Sequence, residues 1–166
     1  MNLLVSFFYL ALNITINTNC CSVEVVLIPQ NQPIPIYNES SHVSIKGYIV
    51  NDTMDENYFS GIILNMEKNR SYIKGSYALD TVNIEGWIET KYLGIYLVLD
   101  DNIPLYSKPD TLYQKALIKN PEWYPLEILK CHKEGWLYVK YQDKNQKKAG
   151  WLSPKYQCSN PYTICN

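Results

Sequence analysis

Gly135-Trp136-Leu137-Tyr138-Val139-Lys140-Tyr141 alternates residue by residue between two kinds of side chain. In a strand, successive side chains point to opposite faces. Leu137, Val139 and Tyr141 therefore form one apolar face, read here as core. Trp136, Tyr138 and Lys140 form an amphipathic outer face. A second apolar run, residues 126–131, precedes it across the turn Lys133-Glu134-Gly135. A polar loop, residues 143–148, follows and leads into the short strand 149–152. Strand, turn, strand, loop, strand is a β-meander, and no segment of the chain carries a helical apolar stripe.

Outward from this stretch the chain repeats itself. Ile34-Pro35-Ile36-Tyr37 recurs as Ile103-Pro104-Leu105-Tyr106, 69 positions later. Gly86-Trp87-Ile88 recurs as Gly150-Trp151-Leu152, and Lys91-Tyr92 as Lys155-Tyr156, both 64 positions later. At that same offset Tyr72-Ile73-Lys74-Gly75-Ser76-Tyr77 falls over Trp136 to Tyr141. On this alignment Gly75 stands where the second copy has Val139, which predicts a thinner first core. The landmarks keep their order, so the sequence reads as a duplication, with its boundary near residues 94–97. Each copy has about 70 residues, a size at which little apolar surface is buried and staples matter.

Composition narrows the function. The chain has 166 residues, 15 basic and 16 acidic, with 46% hydrophobic and 19% charged side chains. That is globular, and the near-neutral balance excludes a general nucleic-acid binder, which needs a basic face. Two histidines leave no basis for a His-built metal site. The charge is unevenly divided: residues 25–94 carry a net −3 and residues 95–166 a net +3. Opposite halves of this kind read either as ordinary solvated surfaces or as an attraction between the copies, with a cleft between them as binding site. Fifteen tyrosines against three phenylalanines are the compositional anomaly.

The second copy resembles bacterial SH3-like (SH3b) domains. Ile103-Pro104-Leu105-Tyr106-Ser107-Lys108-Pro109 is similar to the first strand and long loop of that family. Gly135-Trp136 and Gly150-Trp151-Leu152 resemble its central and closing Gly-Trp strands, and Ser153-Pro154-Lys155-Tyr156 its following 3₁₀ turn. The first copy departs from the pattern, with Ser71-Tyr72 in place of Gly-Trp and a long loop, 38–60. The resemblance implies an all-β chain of two tandem, small, partly open β-barrels, residues 23–95 and 96–166. It also implies a non-catalytic module of an extracytoplasmic bacterial protein.

Residues 3–12 are an apolar block broken only by Ser6. It is half the length a bilayer needs and the size of a secretory hydrophobic region, although no Lys or Arg precedes Lys46. Residues 1–22 are read as a signal peptide or a disordered N-terminus. The expected location is periplasmic or extracellular, with lipoprotein anchoring at Cys20 or Cys21 only weakly supported by the preceding residues.

Candidate ligand-binding residues are the aromatics expected on the surface: Tyr106, Tyr113, Trp123, Tyr124, Trp136, Tyr138 and Tyr156. Among them the segment Asn120-Pro121-Glu122-Trp123-Tyr124-Pro125 stands out, because its two prolines keep it out of a central strand. The expected partner is a peptide, glycan or protein of the bacterial cell envelope, bound by a monomer without cofactor or metal. Two rival readings are a stoichiometric inhibitor or immunity-type protein and a structural spacer. Cys158 and Cys165 enclose a turn-forming stretch and are expected to form a disulfide. Cys131 is read as a buried free thiol. Neither His42 nor His132 has a nucleophilic cysteine partner and the carboxylates are scattered, so no enzyme is expected.

Overall fold

The computed structural model describes residues 22–41, 44–50, 57–160, 162 and 165; the signal-peptide reading of residues 1–22 falls almost wholly outside them. The chain is all-β. Its first strands are β1 (Val23–Leu27), β2 (Ile34–Tyr37), β3 (Ile45–Ile49), β4 (Phe59–Glu67), β5 (Arg70–Tyr77) and β6 (Ile84–Glu89). A 3₁₀ turn, Thr90–Tyr92, leads into β7 (Leu93–Leu97). Then follow β8 (Asn102–Tyr106), β9 (Gln114–Lys119), β10 (Leu126–Cys131), β11 (Leu137–Gln142) and β12 (Lys147–Leu152). A second 3₁₀ turn, Pro154–Tyr156, precedes the two-residue β13, Gln157–Cys158. The segment read as a long loop, 38–60, thus contains β3.

These strands form one open antiparallel sheet, ordered β3-β2-β6-β5-β4-β1-β7-β10-β11-β12-β8-β9, with β13 joined to β7. The duplication is written into that order. Reading inward from either end gives the same path: third, second, sixth, fifth, fourth and first strand of a copy. The two copies share β7, which follows the 3₁₀ turn of the first and opens the second. It pairs β1 through Leu93 and Gly94, β10 through Gly94 and Ile95, and β13 through Tyr96 and Leu97. The boundary read at 95/96 lies inside this strand. Among the described residues the ion pairs Lys91–Glu89 and Lys140–Glu127 each stay within one half, and the joint is made by backbone pairing.

Cross-strand register corrects the alignment of the repeats. Tyr72 faces Trp87 and Ile73 faces Gly86, whereas Tyr138 faces Trp151 and Val139 faces Gly150. The equivalent of Tyr72-Ile73-Lys74 is therefore Tyr138-Val139-Lys140, at an offset of 66, two residues beyond the offset of the flanking landmarks. A shift of two preserves the inward and outward faces, so alternation alone could not detect it. Gly75 now corresponds to Tyr141, and the first core is not thin. Phe59 is fully buried, and a Cβ on Gly75 or Gly61 would meet its ring at 2.8 or 2.9 Å. One aromatic ring fills the place in each copy, supplied by β4 in the first and by β11 in the second. Two of the Gly-Trp glycines, Gly86 and Gly150, admit the crossing second strand. A Cβ on Gly86 would lie 2.4 Å from Ile36, and one on Gly150 2.9 Å from Leu105.

A single cluster of buried apolar side chains runs through both halves, from Val25 and Ile63 through Leu93 and Ile95 to Val139 and Leu152. Cys131, read as a free thiol, is disulfide-bonded. Cys158 and Cys165 form the expected disulfide, with Cα atoms 5.5 Å apart. No described helix is long and apolar enough to cross a membrane.

Candidate functional site

The repeat reuses its aromatics. Tyr72 and Trp87 have ring centroids 5.3 Å apart, and their equivalents Tyr138 and Trp151 are 5.4 Å apart. Lys91 lies 4.8 Å over Tyr92, as Lys155 lies 4.5 Å over Tyr156. Arg70 packs 3.8 Å over Tyr37. At the equivalent place in the second half, Trp136 meets Tyr106 edge to face at 5.3 Å. These pairs are scaffold. They take several expected contact residues out of reach of a ligand: Trp136 is 7% exposed and Tyr106 5%. Burial of Trp136 reverses its expected place on the outer face, because Tyr106 of β8 covers it. Tyr138 and Tyr156 are half-buried, and Tyr113 is exposed with Lys108 4.7 Å over its ring.

The 120–125 segment is different. Pro121 and Pro125 keep it outside β9 and β10, and Asn120 takes a positive φ of 44° where the chain leaves β9. Its aromatics stay exposed, Trp123 at 45% and Tyr124 at 52%. The segment runs along the seam between the halves, since Trp123 stacks on Tyr96 of β7 at 5.0 Å with the ring planes 26° apart. Period-2 alternation within β7 turns Tyr96 away from the core that takes Ile95 and Leu97, a signal the sequence reading did not use.

Two hollows flank the segment. The larger, about 420 Å³, opens between the halves and is walled by Lys91 and Tyr92 from the first and by Tyr124, Pro125, Tyr141 and Asp143 from the second. Its floor is rigid. The Tyr141 hydroxyl donates to Asp143 Oδ2 at 2.6 Å and accepts from the Glu122 amide at 3.3 Å. Asp143 Oδ1 accepts from the amides of Asn145 and Gln146, both at 2.6 Å. The Tyr141 hydrogen bond, helped by those amides, holds the Asp143 carboxyl below its ordinary value. Burial, then the Asp143 hydrogen bond, pushes the Tyr141 phenol up. The second hollow, about 400 Å³, lies on the other side of Trp123 and is lined by Leu99, Asp100, Asp101, Asn120 and Glu122 among others.

Beside Trp123 the aromatic surface continues. The Cys158–Cys165 disulfide closes the loop that presents Tyr162, which packs on Tyr58 with centroids 5.3 Å apart. The same tail is tied to the first half by the Ser159 hydroxyl, which donates to Glu24 at 2.6 Å. Tyr58, Tyr96 and Tyr162 were not foreseen, because only the fold brings them together. Among the described residues no group of three or more His, Cys, Asp and Glu side chains is placed to hold a metal ion. No family model matches the chain, no curated protein is significantly similar to it, and no solved structure matches its fold.

Proposed function

We propose that the chain is an exported, non-catalytic binding protein of two tandem SH3-like, partly open barrels, and that it recognises a peptide, glycan or protein of the bacterial cell envelope. The Gly-Trp strands, the 3₁₀ turn that follows each closing Gly-Trp strand and the repeated strand path support the SH3-like reading. Two disulfide-bonded sites support export, since such bonds persist in oxidising compartments. The observation that carries the binding role is the seam loop, which holds Trp123 and Tyr124 exposed between two hollows. Aromatic side chains with a polar tip supply contact area at low entropic cost.

The test is sedimentation with purified sacculi alongside capture from envelope extract, using the full chain and the Trp123→Ala and Tyr124→Ala variants. Binding that both substitutions weaken, with the far-ultraviolet circular dichroism unchanged, supports the proposal. Full retention of every partner by both variants removes it. Capture of a single stoichiometric protein and no sacculi favours the inhibitor reading instead.

A further inference from the structure

The rings at the seam form a strip. It is made of two ring pairs, Tyr58 with Tyr162 and Tyr96 with the stacked Trp123, and of Tyr124 beside the larger hollow. The geometry points to this strip as a binding surface for an uncharged polysaccharide, lying along rings contributed by both halves; the inference rests on the envelope-binding reading and names its ligand class.

Three observations select that ligand. First, three of the five rings are exposed, Trp123 at 45%, Tyr124 at 52% and Tyr162 at 55%, and the half-buried Tyr96 and Tyr58 each pack against one of them, at 5.0 and 5.3 Å. An extended chain presenting flat, apolar C–H faces at intervals matches such a row, as pyranose rings do. Second, the strip carries four tyrosine hydroxyls, Tyr58, Tyr96, Tyr124 and Tyr162, each able to donate as well as accept. Third, the rim on the Trp123 side carries acceptors, whereas the hollow beside Tyr124 also holds Lys91 and Lys140. Asp100, Asp101 and Glu122 line the hollow beside Trp123, and no Lys or Arg is among its lining residues.

Ionised carboxylates only accept hydrogen bonds. Sugar hydroxyls donate to them and also accept from the tyrosine phenols, whereas a proline-rich peptide, with mainly carbonyl acceptors, leaves the carboxylates without donors. The same carboxylates repel phosphate- or carboxylate-bearing polymers. The strip is also incomplete without the disulfide, since Tyr162 lies inside the 158–165 loop.

Titration calorimetry of the full chain tests this with three uncharged hexasaccharides, chitohexaose, laminarihexaose and maltohexaose, and with hexaproline and hexalysine as competitors for the assignment. Saturable binding of at least one hexasaccharide is expected, with neither peptide bound more tightly. Trp123→Ala should lower the association constant about tenfold and Trp123→Phe much less, as loss of one stacked aromatic implies. Tyr162→Ala and Cys165→Ser should each weaken binding several-fold while the far-ultraviolet spectrum is kept. No hexasaccharide binding, tighter binding of either peptide, or unchanged affinity of Trp123→Ala overturns the inference. Sacculi retained without hexasaccharide binding would overturn the strip alone and leave the wider reading standing; loss of both would remove both.

Discussion

At the scale of single residues, the two copies solve equivalent problems with different chemistry. Ser71 and Thr90 are buried and hydrogen-bonded to each other at 2.9 Å, so neither hydroxyl is left unsatisfied. The equivalent places in the second copy hold Leu137 and Pro154, with no hydroxyl at either. Asp143 is a second such device. Its carboxyl is held below its ordinary value chiefly by the Tyr141 hydroxyl. A lowered carboxyl stabilises the fold above its unfolded-state value, and that stabilisation is lost as pH falls through the folded value. Asp143→Asn should therefore melt below the parent at pH 7. The two melts should converge as pH falls through the folded value; a gap that widens as pH falls below the carboxylate range would contradict this account.

At the scale of elements, local signals were legible and long-range ones were not. Strand 126–131 and the turn through Gly135 with its φ of 78° follow from alternation and glycine alone. The 3₁₀ turn is part of the resemblance that could be read directly. The two-residue slip of β5 against β11 escaped, because it leaves each side chain on its expected face. Trp136 was misplaced for another reason: its cover comes from β8, thirty residues away, and no pattern within β11 reports a neighbouring strand's side chain. The Cys158–Cys165 link was legible because it is local. Closing a loop of that length contributes about 2–3 kcal/mol in the chain-entropy model. Cys165→Ser should lower the urea midpoint correspondingly, with little change in the slope.

At the scale of the whole molecule, the shared strand makes two copies into one folding unit. Gly94 is buried at the joint, where a Cβ would come 2.8 Å from Pro125 and 2.9 Å from Ile28. Gly94→Val should therefore destabilise both halves together, by about 1–3 kcal/mol for overpacking of this kind. Calorimetry should show one transition that moves as a whole; a second transition appearing at the parent temperature would show that the halves melt separately. The backbone joint also carries a prediction about salt. Unlike charges are screened at high ionic strength, but paired strands are not, so small-angle scattering should be the same at 20 mM and 1 M NaCl. Expansion at high salt would restore the charge attraction expected from the composition.

The division of β7 among three partners has a consequence for the order in which the protein is made. Chains emerge from the ribosome N-terminus first, and domains fold as their segments become available. Leu93 and Gly94 meet β1, which is already made when β7 emerges, but Tyr96 and Leu97 wait for Gln157 and Cys158, which follow only after β8 to β12. The tail that carries Tyr162 arrives with them. The joint is therefore closed in two stages separated by the synthesis of five strands, and the aromatic surface at the seam belongs to the later one.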